Sequence, residues 1–154
     1  MLDGGVILKT KFLISFMFII LFIIGCSNEQ TVKVTSDDIE KIKLKLVEKQ
    51  EIRDGISYTI KLVNDSDNVI KQNNVYLYYP IKTENGSKGN EFKVEAEGNK
   101  LNIEPNEEVT LNVFTPFVGM SNPELLIDEP SIEIKGYIEK VDISHSFGKV
   151  GGFD

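Results

Sequence analysis

The chain has one cysteine, one histidine, one alanine and no tryptophan among its 154 residues. A single cysteine excludes a disulfide within the chain, so packing alone must stabilise the folded domain. The near absence of alanine, beside abundant Val, Ile, Thr and Tyr, argues against long helices and for β-sheet. No phosphate-binding glycine loop occurs, and we predict no cofactor.

Positive charge is also scarce, because 17 basic residues stand against 24 acidic ones and the net charge is -7. An acidic surface repels phosphate backbones and anionic lipid headgroups. Nucleic acid is therefore not expected as a partner. The length that remains after an N-terminal signal suits a single domain.

Long apolar runs are limited to one, Phe12 to Ile24, which follows Lys9 and Lys11. As a helix it would rise only about 20 Å, against a hydrocarbon core of roughly 30 Å. A basic start, a short apolar helix and a small residue at the exit are typical of a secretory signal peptide. The opening residues MLDGGVI place Asp3 in a region that should be basic, so we predict that translation begins at residue 8.

The exit of the apolar run, Ile23-Ile24-Gly25-Cys26, resembles the lipobox of bacterial lipoproteins. In that family an aliphatic, a variable and a small residue precede an invariant cysteine, and leucine is usual where Ile23 stands. The resemblance implies that the signal is cut before Cys26 and that the thiol receives a diacylglycerol. Cys26 would then hold the chain at the extracytoplasmic face of a bacterial membrane. An ordinary signal peptide with a free cysteine and a short membrane anchor are the alternatives.

Composition divides the chain into four parts. We predict a helical signal peptide over 1–25, lipidated Cys26 with a polar tether over 26–38, one domain over 39–147 and a flexible glycine-containing tail over 148–154. Abundant Ile, Lys and Asn hint at AT-rich coding, which favours a Gram-positive cell membrane as the location.

Seven short runs carry an apolar residue at every second position, which is typical of strands with one buried and one wet face. They occupy residues 41–46, 56–63, 75–81, 92–96, 101–103, 109–113 and 132–138. Two sheets packed face to face bury all of them economically. The sequence therefore predicts an all-β fold, an antiparallel two-sheet immunoglobulin-like sandwich of about seven strands.

The stretches YTIKLVNDSDNVIKQNNVYLYY and LNIEPNEEVTLNV resemble the small immunoglobulin-like domains of bacterial lipoproteins. In those domains a strand ends in an Asn-rich turn and a later strand follows a Pro-Gly-Glu turn; here Asn106 replaces the glycine. The resemblance spans Tyr58 to Val113. It implies a fold and says little of function, because such domains serve many roles.

Two groups of polar residues are candidate ligand sites. Asp65 and Asp67 supply oxygen atoms at alternate positions, as a calcium loop does, but the pattern fails to continue and an Asx turn explains them as well. Tyr76 and Tyr78 should point away from the core face, where they could stack on sugars, anchor a protein partner or pair across strands.

His145 lies beside Asp142 and Ser144, the residue types of a catalytic triad. Neighbours this close in sequence rarely hold triad geometry, so we predict a polar surface residue. With Cys26 joined to lipid, no nucleophile is evident, and we predict that the protein is not an enzyme.

We therefore predict a lipid-anchored envelope protein with a binding or structural role, whose partner is an envelope protein or a wall component. Calcium-dependent adhesion through Asp65 and Asp67 is one alternative. Protease inhibition by a protruding loop over Glu84 to Asn90 is another. The apolar segment FTPFVGM, Phe114 to Met120, either contacts a partner or folds back to close the core.

Overall fold

The computed structural model describes residues 34–154. The predicted signal peptide, the lipobox and Cys26 lie outside these residues. The described chain begins with a short helix, α1 (Ser36–Glu40), which spans the boundary between the predicted tether (26–38) and the predicted domain. Thr35 caps it, because its side chain accepts from the Asp38 N–H while the Asp38 carboxylate accepts from the Thr35 N–H.

Nine strands and one 3-10 helix follow. They are β1 (Ile42–Ile52), β2 (Gly55–Asn64), β3 (Ile70–Tyr78), β4 (Ile81–Thr83), β5 (Gly86–Lys88), β6 (Val94–Glu95), β7 (Glu108–Pro116), β8 (Ser131–Ile138), the 3-10 helix (Ile143–His145) and β9 (Ser146–Gly151). One sheet has the order β1-β2-β7, a second has the order β6-β3-β8-β9, and β4 pairs with β5. All pairings are antiparallel. The prediction of an all-β immunoglobulin-like sandwich is confirmed.

The core lies between the two larger sheets. Its largest fully buried side chains are Tyr58, Ile42, Leu44, Ile60, Leu62, Ile70, Leu77, Ile103, Leu111, Ile132, Ile134 and Ile138. Most lie on the predicted faces, because alternation along a strand sends every second side chain inward. Burial of this apolar surface is the main stabilising contribution in a domain without an internal disulfide.

Two predicted strands are largely wrong. In the run 92–96 only β6 is a strand, and Phe92 is 65% exposed although Ala96 is buried. In the run 101–103 only Ile103 is buried, where it forms a single bridge with Ile70. Both runs are too short for alternation to indicate which face a neighbouring sheet covers.

The predicted flexible tail is also wrong, because the structure places strand β9 across most of residues 148–154. β9 pairs with β8 from Tyr137↔Ser146 to Ile132↔Gly151, and Phe147 is buried. Residues 146–154 have one buried apolar side chain, Phe147, and three glycines, so their composition resembles that of a loop. The predicted tail is part of the domain.

Asp154 joins the two sheets at their edges. Its N–H donates to the Leu44 carbonyl at 2.9 Å, and its Oδ2 accepts from the Leu44 N–H at 2.7 Å. The Lys149 ammonium lies 3.0 Å from Asp154 Oδ1 and donates to the Ile42 carbonyl at 2.9 Å. These bonds cover the first half of the β1 edge.

The Asp154 carboxylate is expected to make stability depend on pH. Burial raises its pKa, but the Leu44 N–H and the Lys149 ammonium lower it more, so the net pKa lies below the usual value. A depressed folded-state pKa contributes stability that is present above about pH 4 and is lost as the pH falls through that pKa.

We therefore expect Asp154→Asn to cost about 1 kcal/mol at pH 7, and the difference from wild type to shrink steadily below pH 4. Urea unfolding of both proteins from pH 7 to pH 2 measures this. Asp67→Asn, at a carboxylate that is almost fully exposed, is the control and should change stability by less than about 0.5 kcal/mol. A constant difference at every pH would contradict the assignment.

Candidate functional site

The sandwich has two distinct ends. At one end, which we call the base end, β1 begins, Ile42 pairs with Asn64, and Asn68 Nδ2 donates to Asp38 of the short helix at 2.9 Å. At the opposite end, which we call the groove end after the groove described below, Gly55 pairs with Pro116. Strand β3 starts at the base end and finishes at the groove end. The described chain therefore enters at one end, and the β3–β4 and β7–β8 links lie at the other.

An apolar groove of about 320 Å³ opens at the groove end. Leu77 and Tyr79 contribute from the core side, and Phe92, Val118 and Met120 form the walls. Val118 is 87% exposed, whereas Met120 packs against the core. The segment FTPFVGM thus contributes both to closing the core and to an exposed apolar rim.

A chain of buried hydroxyl groups lies beneath the groove. The Thr115 hydroxyl donates to the Ile56 carbonyl at 3.1 Å and accepts from the Tyr79 hydroxyl at 2.8 Å. Tyr79 in turn accepts from the Tyr58 hydroxyl at 2.9 Å. Burial, and then the hydrogen bond with Tyr79, raises the pKa of Tyr58, so the phenol stays neutral. The floor therefore favours apolar groups over ions.

Tyr76 and Tyr78 do not form the exposed pair that the sequence suggested. Tyr78 is only 7% exposed, because β6 and its flank cover it and the Lys93 ammonium lies 4.9 Å from its ring centroid. Lys93 pairs with Glu133, which is itself buried. Tyr78 lines the groove instead, while Tyr76 stays partly exposed on the outer face.

Glu133 can be buried on this outer face because its carboxylate lies between two lysines, Lys93 and Lys135. Burial raises the pKa of Glu133, but hydrogen bonds from Lys135 and Lys93 lower it more, and the net pKa is below the usual value. The Lys135 ammonium lies 2.7 Å from the carboxylate. The ion pairs and the cation–π contact fix the covering segment over Tyr78.

Asp65 and Asp67 point outward and lie in a turn built by their neighbours. Asn64 and Ser66 are buried, and Ser66 donates to Asn64 Oδ1 through both its N–H, at 3.2 Å, and its hydroxyl, at 2.6 Å. The Asp67 carboxylate lies 3.5 Å from the Lys41 ammonium. Within residues 34–154, no three His, Cys, Asp or Glu side chains are grouped so that they could hold a metal ion.

His145, Asp142 and Ser144 contact one another, but their geometry is not that of a catalytic triad. Nδ1 of His145 lies 2.8 Å from Asp142 Oδ1 and 3.0 Å from the Ser144 hydroxyl. A triad histidine contacts acid and nucleophile through different ring nitrogens. Asp142 instead caps the 3-10 helix, and hydrogen bonds from Ser144 and then His145 lower the pKa of this carboxyl.

The sequence did not predict the groove itself. Its run 92–96 placed Phe92 on a buried face, and partner contact by the segment FTPFVGM, which contains Val118, was one of two alternatives. The available signal was the unusual concentration of apolar residues in that link. The described part of the chain, residues 34–154, holds no helix long and apolar enough to cross a membrane.

No family model matches the chain, and no curated protein sequence matches it. Among solved structures, the archaellum periplasmic stator protein complex FlaF and FlaG from Sulfolobus acidocaldarius is similar over 82% of this chain and 98% of that chain, with 12% identity and a TM-score of 0.33. So low a TM-score carries no argument about function, and the fold assignment rests on the sheets themselves.

Proposed function

We propose that this protein is a lipid-anchored, extracytoplasmic β-sandwich lipoprotein with a binding role in the cell envelope, and that it is not an enzyme. Its membrane attachment is the covalent lipid on Cys26, at the outer face of a Gram-positive type of cell membrane. Its binding surface is the apolar groove, and its partner is an envelope protein that presents apolar side chains. The observation that carries this proposal is the position of the groove at the end opposite the chain's entrance.

The position matters because a tethered domain presents whatever lies away from its tether. Strand β2, Gly55–Asn64, runs the length of the domain, which corresponds to about 30 Å at the usual rise per residue. Asp38, at the described end of the predicted tether, contacts Asn68 at the base end, and the groove lies beyond Gly55. The groove therefore lies at the end of the domain away from residue 38, and this is where we propose that the partner binds.

The groove suits binding rather than chemistry. Phe92 and Val118 expose apolar surface at its rim, which soluble domains usually bury or use for contacts. Its floor is neutral, because the buried hydroxyl groups satisfy one another and the pKa of Tyr58 is raised. Among the residues that line it, the ionisable side chains are Tyr78 and Tyr79, and none is a His, Cys, Asp, Glu, Lys or Arg.

Site-specific photocrosslinking in intact cells tests the binding surface. A photoreactive residue replaces Val118 at the groove, and the matched control replaces Ile143 at the base end, which is equally exposed at 90%. We expect a discrete protein adduct from position 118 and none from position 143. Equal adducts at both positions, or none at either, would overturn the groove as the binding surface.

Acyl labelling tests the anchor separately. Wild type should incorporate a fatty-acid label and stay with the membrane, whereas Cys26→Ala should lose the label and be released. Equal labelling of the two proteins would refute lipidation, and it would leave the groove result standing on its own.

A further inference from the structure

The two halves of the β1 edge differ in what they offer to another strand. Strand β1 borders its sheet, so among the described residues 34–154 one side of its backbone has no neighbouring strand. In the first half, Asp154 occupies the outward N–H and C=O of Leu44. A β-bulge between Leu46 and Glu48 then interrupts the register with β2. Only the second half, residues 48–52, remains available for pairing.

The hairpin shows which backbone groups are free in this second half. Ile52 pairs with Gly55 across a two-residue turn, so their backbones bond to each other. In an antiparallel ladder the direction of the backbone N–H and C=O groups alternates from residue to residue. Those of Gln50 therefore point toward β2, and those of Lys49 and Glu51 point away from β2. Within residues 34–154, no hydrogen bond reaches the outward groups of Lys49 or Glu51. The side chains from Leu46 to Ile52 are exposed as well.

The charges of these two residues select one way of pairing with a second copy. Outward groups can meet in three antiparallel registers, centred on Lys49, on Gln50 or on Glu51. The first register opposes Lys49 with the same lysine of the second copy, and the third opposes Glu51 with itself. The middle register opposes Lys49 with Glu51 twice, and opposite charges across strands stabilise while like charges destabilise.

We propose that two copies of this protein pair through residues 48–52 of β1 about a two-fold axis at Gln50, joining their three-stranded sheets into one six-stranded sheet. Such an isologous contact is self-complementary. The bulge and the Asp154 contact confine it to a short ladder, which limits runaway edge pairing. Anchoring on a common membrane would raise the effective concentration of the two edges.

Disulfide trapping in the full chain tests the register. At the two-fold axis, Gln50 of one copy lies opposite Gln50 of the second copy in a non-hydrogen-bonded pair. The Cα atoms of such a pair lie about 4.5 Å apart, which is within reach of a disulfide. We expect Gln50→Cys to give a covalent dimer on mild oxidation. Glu48→Cys is the matched control and should give none, because in this register residue 48 faces Ile52 of the second copy. Wild type reports any background from Cys26.

Exchanging the charges of Lys49 and Glu51 tests whether opposite charges across the two strands select this register. In the Gln50→Cys chain, Lys49→Glu or Glu51→Lys alone should reduce the trapped dimer roughly tenfold, because each opposes like charges twice. The two single exchanges mixed together, or combined in one chain, should restore it. Thermal unfolding of each variant verifies that the exposed substitutions leave the fold intact.

Two outcomes would overturn the proposal. One is equal trapping by Gln50→Cys and Glu48→Cys, or trapping that charge exchange leaves unchanged. The other is a Gln50→Cys adduct with a different protein in place of the dimer, which would assign this edge to that protein. Neither outcome bears on the groove, whose residues lie on other strands and links.

Discussion

Replacing Asn64 with alanine should destabilise the domain by about 3 kcal/mol or more, because several buried polar groups would lose their partner at once. Asn64 is fully buried, and its Nδ2 lies 2.8 Å from the carbonyl of Asn68, 3.0 Å from that of Ile103 and 3.2 Å from that of Glu104. Its Oδ1 accepts twice from Ser66. One side chain thus joins the β2–β3 turn to the segment before β7.

Asn64→Asp sharpens this test, since it keeps the shape but sets a carboxylate against three carbonyl oxygens. We expect it to destabilise at least as much as alanine at pH 7, because the donor becomes a buried charge. Asp65→Ala, an exposed change in the same turn, is the control and should alter stability by less than about 0.5 kcal/mol. Urea unfolding measures the stability of all three variants. If both Asn64 variants changed stability as little as Asp65→Ala does, the turn would not depend on the Asn64 network.

Deleting residues 148–154 should abolish cooperative unfolding of the domain. The deletion removes most of β9, which leaves the β8 edge unpaired and frees Leu44 from Asp154. It also removes the strand that holds Phe147 in the core. Together these losses approach the whole stability of a domain this size, which is typically about 5 to 15 kcal/mol.

Circular dichroism during heating measures the effect of this deletion. Val150→Ser is the control, because that side chain is largely exposed and the strand pairing is retained. A truncated protein that melts at the wild-type temperature would show that residues 148–154 are the dispensable tail their composition suggests.

The alternating runs in β2 and β7 predicted both the strands and their buried faces correctly, whereas in β1 Leu46 is exposed although its run placed it on the buried face. Tyr58, Ile60 and Leu62 in β2 face the core, and so do Val109, Leu111 and Val113 in β7. Alternation works there because each strand has one face against a sheet and three inward side chains to reveal the period. The Asn-rich turn after β2 was likewise predicted from Asx chemistry.

The alternation of apolar residues predicted the wrong exposure where another segment packs on the outer face of a strand. Tyr78 lies on the outward face, yet Lys93 and the β6 flank bury it. Strand β9 has no readable period, because it is held by pairing with β8 and by the distant contact between Asp154 and Leu44. Contacts of such long sequence separation leave no local trace in composition.

From the sequence alone came the β-sandwich class, the strands with sustained alternation and the prediction of a lipidated Cys26, because each depends on residues that are close together in the chain. The tertiary structure decided the groove, the covering of Tyr78, the strand at 146–151 and the single free half of the β1 edge. Each of these arises where distant segments meet, and only the folded chain specifies which residues those segments bring together.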